Sequence, residues 1–506
     1  MGKKLPIFYS ALLLTGVNLL LRLVSTGFQV YLSGRIGASG IGLLQLVLSV
    51  GGLALTAGIA GIRTATMYLT AEELGRRRPE NVGSVLSGCF IYSLLCSGVV
   101  AVILFCTAPL ISSRWIGESS AVAAVRLFTF FLPVNCLCGV MVGYFTAANR
   151  VGMLAAVEVA EQACSMGLTV SLLHFWAGDD PLRACMAVVM GGGISGCLTL
   201  ICLLILHRYE GTGGGKIPVR RRLLSTAVPL ALADDLKSGI STAENLMVPK
   251  RLALCRKIAD PLASFGVVCG MVFPVLMFPA AILFGLAELL IPELARCSAA
   301  GSQTRIRYLA KRSLRLSMLY GCLFSGLLFL LSDELCLWLY DNRDAGVYLR
   351  RFALLAPMLY CDAITDAMIK GLGQQTACVR YNILTSGLDV LFLYLLLPLY
   401  GMEGYFLSFL ITHALNFVLS LGRLLKLTGR IVSPAVPLLT VLATGIAIGI
   451  ANLLSQPVLR GAAYVLLMGS LLCLFRVVGR EDVFWIRGLI RKNAPPKTVP
   501  GFGGAS

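Results

Sequence analysis

Apolar runs longer than a bilayer is thick dominate this chain, and they limit its fold more than any other feature. SALLLTGVNLLLRLVSTGFQVYL (10–32) and RLFTFFLPVNCLCGVMVGYF (126–145) both exceed the roughly 18 apolar residues that mark a transmembrane helix. Runs of this kind fill nearly all of the 506 residues, which are 57% hydrophobic and only 13% charged. Mean hydropathy is +0.83. Soluble proteins carry about twice that charge fraction. Water is absent from a bilayer core, so each segment must satisfy its own backbone, and the fold class that follows is an all-α polytopic membrane protein. The start, MGKKLPIFYSALLL, has the basic flank of a signal peptide. Its apolar run continues for about 25 residues without an A-x-A site, so it reads as an uncleaved first helix.

Walking the runs gives about fourteen spans, the seventh beginning at Leu223, with both termini on one side. That side collects RRR at 76–78, RRR at 220–222, the basic cluster of 305–315 and the RKNAPPK tail. The positive-inside rule makes it the cytoplasm. The net charge of +18 is therefore a matter of topology, with anionic lipid as a secondary partner and no nucleic acid. Seventeen cysteines form no C-x-x-C pair and read as small buried hydrophobes. Three histidines without an H-E-x-x-H motif offer no metal site. EGTGGGKIP (210–218) lacks the first Gly and the hydroxyl residue of a phosphate-binding loop, and reads as a linker.

That linker falls after the sixth span. An F-x4-P pattern preceded by Arg recurs on either side of it, as Arg126, Phe128 and Pro133 and again as Arg351, Phe352 and Pro357. The expected organisation is two six-helix lobes, 1–207 and 223–424, around a central cavity, joined by a cytoplasmic linker at 208–222. Two extra transmembrane helices at 425–480 and a cytoplasmic tail at 481–506 complete the chain. The tail is expected to be disordered.

Several spans carry polar stripes. Asp234 lies about 16 Å into the seventh span at ~1.5 Å per residue, near the bilayer centre. Asp234, Lys237, Ser241, Glu244 and Asn245 share one helical face, and Asp235 adjoins it. Thr15, Asn18, Arg22, Ser25 and Gln29 make a stripe on the first span, and Arg63 sits deep in the second. Glu158, Gln162, Ser165 and Thr169 line up on the fifth, with Glu161 beside them, and Asp362, Asp366 and Lys370 on the tenth. A charge meeting lipid at the bilayer centre costs on the order of 3 kcal/mol or more, so these faces must see protein or water. Asp234 with Lys237, and Asp366 with Lys370, could pair within their own helices and merely fix packing. Arg22 and Arg63 have no acid within one turn. A guanidinium fork suits phosphate, so they point to an anionic ligand such as a pyrophosphate. Pro274 and Pro279 interrupt the eighth span, and Pro229 and Pro249 bracket the stripe of the seventh, each permitting a kink.

Four stretches together resemble the stage V sporulation protein B-like branch of the multidrug/oligosaccharidyl-lipid/polysaccharide (MOP) flippase superfamily. They are RLVSTGFQVYLSGRIGASGIGLLQLV (22–47), STAENLMVPKRL (241–252), GMVFPVLMFPAAILFGLAELLIPELA (270–295) and MLYCDAITDAMIKGLGQQ (358–375). The resemblance implies a monomeric, non-enzymatic carrier of lipid-linked sugars or a peptidoglycan precursor across the bacterial inner membrane, working by alternating access. It implies no cofactor, with Na⁺, H⁺ or the membrane potential as the energy source. Arg22 resembles the family's first-helix arginine. A second arginine expected within two turns is replaced by Gln29. Glu244, Asn245 and Pro249 match an E-N-L-hydrophobic-P motif that continues into Lys250 and Arg251, and Asp362 matches the aspartate after an aromatic residue.

The expected substrate contacts are therefore Arg22, Arg63, Asn18, Gln29, Lys237, Glu244, Asn245 and Arg251. Glu158, Asp234, Asp362 and Asp366 are the candidates for ion coupling or gating. Two other readings compete. A cation-coupled multidrug exporter of the same superfamily would centre on Glu158, Asp234 and Asp362. A glycan-polymerising membrane enzyme would want a large external loop, and the candidates near 112–120, 249–259 and 333–345 are short.

Overall fold

A computed structural model describes residues 7–59, 61–76, 78–178, 180–210, 220–429 and 435–477. The phosphate-loop-like stretch at 211–218 and the tail from 478 onward lie outside the described residues. Every regular element described is helical. The order is α1 (Ile7–Ile59), α2 (Ile62–Gly75), α3 (Val82–Leu110), α4 (Val122–Ala147), α5 (Val151–Leu172) and α6 (Pro181–Glu210). There follow α7 (Arg220–Leu252), α8 (Pro261–Gly266), α9 (Phe273–Met277), α10 (Ala280–Ala299), α11 (Gln303–Leu330) and α12 (Ser332–Tyr340). The last six are α13 (Arg343–Ala353), α14 (Ala356–Gly371), α15 (Gln375–Tyr400), α16 (Met402–Thr428), α17 (Ala435–Ala451) and α18 (Pro457–Leu474).

Among the described residues, 8 helices are long and apolar enough to cross a membrane, or up to 10 if each of two bent pairs is one span. The protein is thus a multi-pass helical membrane protein, and the count of fourteen read from the sequence is not reached by this measure. Part of the shortfall has a plain cause. The first two spans run on from one another as a single stretch, and α17, at 17 residues, is too short to qualify. The lipid-facing surface is apolar along whole helices, as on α3, where Ile91, Leu95 and Val102 are each more than half exposed. Trp115, Trp176 and Trp338 are exposed near helix ends on one side of the molecule, the side of Gly37, Leu252 and Pro261. This is the amphipathic aromatic belt of a membrane interface. We call that side distal, and the side of Ile7, Gly75 and Arg222 proximal.

Glycine decides where α1 turns. Gly37 holds φ 72° and ψ 177° inside the helix, a conformation that L side chains rarely adopt, and it splits α1 into two arms at the distal end. Proline explains the bends unevenly. The path from α9 to α10 turns by 63° at Phe278–Pro279, as expected, after a π-helical stretch at Val267–Val272. By contrast α7 is one continuous helix from Arg220 through Pro229 and Pro249 to Leu252, so neither proline interrupts it. The repeated F-x4-P pattern also diverges. α4 is straight enough to remain one helix through Pro133, whereas α13 and α14 bend by 57° just before Pro357. Phe352, 1% exposed, anchors that bend in an aromatic cluster with Phe273, Tyr405, Phe406 and Phe409.

The distal arm of α1 packs on α7, α8 and the π-helical stretch along a seam without side-chain clearance. A Cβ on Gly266 would stand 2.0 Å from the Ala38 carbonyl oxygen, and one on Gly42 2.4 Å from that of Leu262. A Cβ on Gly270 would fall 1.9 Å from Ile41 Cγ2. Backbones touch here because no side chain intervenes. Ser39 Oγ donates across the seam to Asp260 Oδ2 at 2.9 Å, and Asp260 Oδ1 caps α8 by accepting from the Ala263 amide at 2.9 Å.

Candidate functional site

Below the seam, α1, α2 and α7 enclose a cavity of 540 Å³. Ser49 and Thr56 come from α1, Arg63 and Thr64 from α2, and Asp234, Lys237, Ser241 and Asn245 from α7. The helical periodicity read in the seventh span is what brings the α7 residues to one wall. Its distal end is tied by hydrogen bonds. Asn245 Nδ2 donates to Ser49 Oγ at 3.0 Å, and Thr242 Oγ1 donates to the Ser49 carbonyl oxygen at 3.1 Å. Thr56 Oγ1 donates to Ser238 Oγ at 3.3 Å, lower down. Toward the proximal end Arg63, Asp234 and Lys237 are all exposed. Neither intrahelical pair expected as packing forms: among the described residues, Asp234 makes no ion pair with Lys237 and Asp366 none with Lys370. The charges of this cavity are therefore available to a ligand.

The remaining predicted residues are distributed differently. Arg22 is exposed and stacks over the Phe284 ring of α10 at 4.7 Å from its centroid, outside the cavity lining. Gln29 Nε2 donates to the Gly270 carbonyl oxygen at 3.3 Å, which makes it a seam residue. Arg251 lies over the Tyr394 ring of α15 at 3.2 Å, near the distal end of α7. Asn18 is within α1, but its side chain lies outside the described residues. Glu158 sits on α5 within electrostatic reach of Arg63, and Gln162 Nε2, one turn on, donates to Ser25 Oγ of α1 at 3.3 Å.

Glu244 turns away from the central cavity into a smaller one of 210 Å³, shared with Asp362 of α14, Asp389 of α15, and Thr412 and Asn416 of α16. Asp389 Oδ1 accepts from Ser408 Oγ at 2.6 Å and Thr412 Oγ1 at 3.1 Å. Asp362 Oδ2 accepts from Asn416 Nδ2 at 2.9 Å, while its Oδ1 is buried without a partner. Asp366 is fully engaged, accepting from Ser420 Oγ at 2.9 Å, Cys378 Sγ at 3.1 Å and Asn382 Nδ2 at 3.4 Å. The two cavities thus differ in charge: Arg63 and Lys237 share the central one with Asp234, while the smaller one is acidic. The central cavity holds Arg63 and Lys237, and the carboxylates Glu244, Asp362 and Asp389 gather in a pocket of the C-terminal half. Asp389 was not anticipated, though a lone acid inside NILTSGLDVLFLYLLLPLY signals it. Among the described residues, no group of three or more His, Cys, Asp or Glu is set to hold a metal ion.

A second unanticipated cluster fastens the proximal ends of α2 and α7. Arg222 donates to Glu72 Oε2 at 2.5 Å and to Glu73 Oε1 at 2.9 Å, and Asn81 Nδ2 donates to Glu73 Oε2 at 3.0 Å. Glu73 is 2% exposed. RRR at 220–222, read only as a topology signal, supplies the arginine.

A seamed distal end and a charged cavity between α1, α2 and α7 mark a multi-pass helical membrane protein with polar space among its helices. Over residues 8–234 the chain matches the polysaccharide biosynthesis protein family, and the resemblance read from the four sequence stretches is borne out. It is 21% identical over 393 residues to stage V sporulation protein B of Bacillus subtilis (strain 168), covering 74% of each chain. The fold is similar to that of the lipid II flippase MurJ in an inward closed conformation, with a TM-score of 0.68 and 13% identity over 95% of this chain and 100% of that one. It is also similar to an inward-facing multidrug resistance MATE family transporter, with a TM-score of 0.64 and 16% identity over 82% of this chain and 99% of that one.

Proposed function

We propose that the protein is a flippase that carries a lipid-linked pyrophosphate oligosaccharide or peptidoglycan precursor across the bacterial inner membrane, in cell-wall or spore-cortex biogenesis. One observation carries this reading. The cavity between α1, α2 and α7 presents Arg63 and Lys237 to its interior, and neither is engaged by a carboxylate within ion-pair distance among the described residues. Relationship to stage V sporulation protein B and a fold shared with a lipid II flippase support the same substrate class.

In this reading residues 1–207 and 223–424 rock as two lobes. The head group enters from the proximal, cytoplasmic side, where the basic clusters lie, and its lipid tail stays in the bilayer. Arg63 and Lys237 hold the phosphates. Arg22, on Phe284 outside the cavity lining, adds positive charge to that side of the path. The states exchange because substrate and coupling ion bind them with different affinity. The pocket of Glu244, Asp362 and Asp389 would take a coupling H⁺. Asp234 and Glu158, beside the basic groups, would tune the grip on the phosphates, and Asp366 would hold α14 to α16. The carrier would act as a monomer, without catalysis or cofactor.

The test is flipping of a fluorescent lipid-linked disaccharide-pyrophosphate in proteoliposomes by wild type, Arg22→Ala and Arg63→Ala. Flipping that Arg63→Ala loses is the expected result. A wild type that ignored this lipid but moved cationic dyes down an ion gradient would establish the second reading, a cation-coupled exporter. The observation favouring that reading is the same acidic pocket, together with the MATE-like fold.

A further inference from the structure

A third cavity, of 370 Å³, opens on the flank of the molecule between α5 and α6, apart from the two described above. Its walls are apolar, among them Ala156, Val157, Ala160 and Leu198. Leu198 is 50% exposed and Ile201 beside it 54%, so the groove faces the acyl chains of the bilayer rather than the aqueous cavity. One carboxylate, Glu161, lies within this lining. The Ser195 hydroxyl, also in the groove, donates to the Glu161 backbone carbonyl at 2.7 Å, and the Thr199 hydroxyl lies in the same lining as the carboxylate. Among the described residues no cationic side chain comes within ion-pair distance of Glu161. Its charged neighbour along the helix is Glu158, of the same sign.

A carboxylate at the base of a lipid-facing apolar groove is a strong selector. It repels a pyrophosphate, and it leaves a neutral acyl chain with a polar group that the chain cannot satisfy. A single positive charge on an apolar stem satisfies both parts, with the head on Glu161 and Thr199 and the stem along Ala156 and Leu198. The volume suits one ligand of drug size. We propose that the α5–α6 groove is a binding site for an amphiphilic monocation, such as an alkylammonium, that arrives from within the bilayer. The site is independent of the flippase reading, since it shares no residue with the central cavity.

The full chain in nanodiscs would be titrated with a dansyl-labelled primary alkylamine and with its alcohol analogue. Wild type should bind the amine at least ten-fold more tightly than the alcohol, and Glu161→Gln should abolish that preference. Leu198→Trp, which fills the groove, should weaken both. Cys202 lines the groove and is exposed, whereas Cys106 and Cys473 are exposed elsewhere. The amine should therefore slow labelling of Cys202 by a lipid-soluble maleimide, read peptide by peptide in a mass spectrometer, and leave Cys106 and Cys473 unchanged. If Glu161→Gln fails to fold, the comparison of amine with alcohol and the Cys202 protection in wild type still decide. Equal binding of amine and alcohol, no protection of Cys202, or a Glu161→Gln protein with wild-type preference would each overturn the proposal.

Discussion

Arg63 and Arg22 carry the same charge but have different surroundings. Arg63 lines the cavity, while Arg22 spends its guanidinium face on Phe284, a contact of about 0.5–1 kcal/mol at an exposed site. Arg63→Ala should therefore reduce flipping at least ten-fold, and Arg22→Ala by only a few-fold, as initial rates in proteoliposomes would register. The acids separate in the same way. Glu73→Ala strands Asn81 and removes one of the two carboxylates that Arg222 holds, so it should destabilise the protein by about 1–3 kcal/mol and lower the melting temperature in detergent. Loss of melting temperature without loss of ligand affinity would mark it as structural. The side-chain periodicity of α7 was legible in the sequence, and it placed Asp234, Lys237 and Asn245 on one wall. What periodicity could not reveal was the neighbouring helix. Gln29 lies on a stripe as regular as the others and Arg251 continues a sequence motif, yet their partners, the Gly270 carbonyl and the Tyr394 ring, are about 240 and 140 positions away along the chain.

Among the elements, the glycine seam sets the strictest packing demand. Gly266→Ala must push the Ala38 backbone aside, because its Cβ would stand 2.0 Å from that carbonyl oxygen. Gly239→Ala in α7 meets nothing within 4 Å and should be neutral, or stabilising by about 0.5–1 kcal/mol. Gly266→Ala should accordingly raise the thiol-labelling rate of a cysteine placed at Ser39, while Gly239→Ala leaves that rate at the wild-type value. Equal rates for the two variants would mean that the seam yields cheaply. The break at Pro279 could be read from sequence because proline in mid-helix has a local effect. The continuity of α7 through Pro229 and Pro249 could not, since whether a proline interrupts a helix depends on what packs beside it. Helix existence was legible throughout, and the first two spans read from the sequence lie on either side of Gly37, where the chain turns without a loop and runs on as a single helical stretch.

At the scale of the whole molecule, a structure packed closed at its distal seam and charged proximally would be one half of the proposed exchange cycle. Ser39 and Asp260 meet across the seal, so cysteines at both positions should form a disulfide under mild oxidation. Flipping should then stop, and a reductant should restore it. Continued flipping with the disulfide formed would show that the seam does not open during transport. The single residue at the turn of α1 has a mechanical meaning as well. Gly37 joins two rigid rods without a loop, like the pivot of a bell-crank, and a rod cannot absorb motion the way a loop can. Whatever tilts the proximal rod, which carries Arg22, is passed on to the distal rod, which carries both the seal and the Ser49–Thr56 wall. Taking hold of a head group inside and loosening the far door would then be two ends of one stroke.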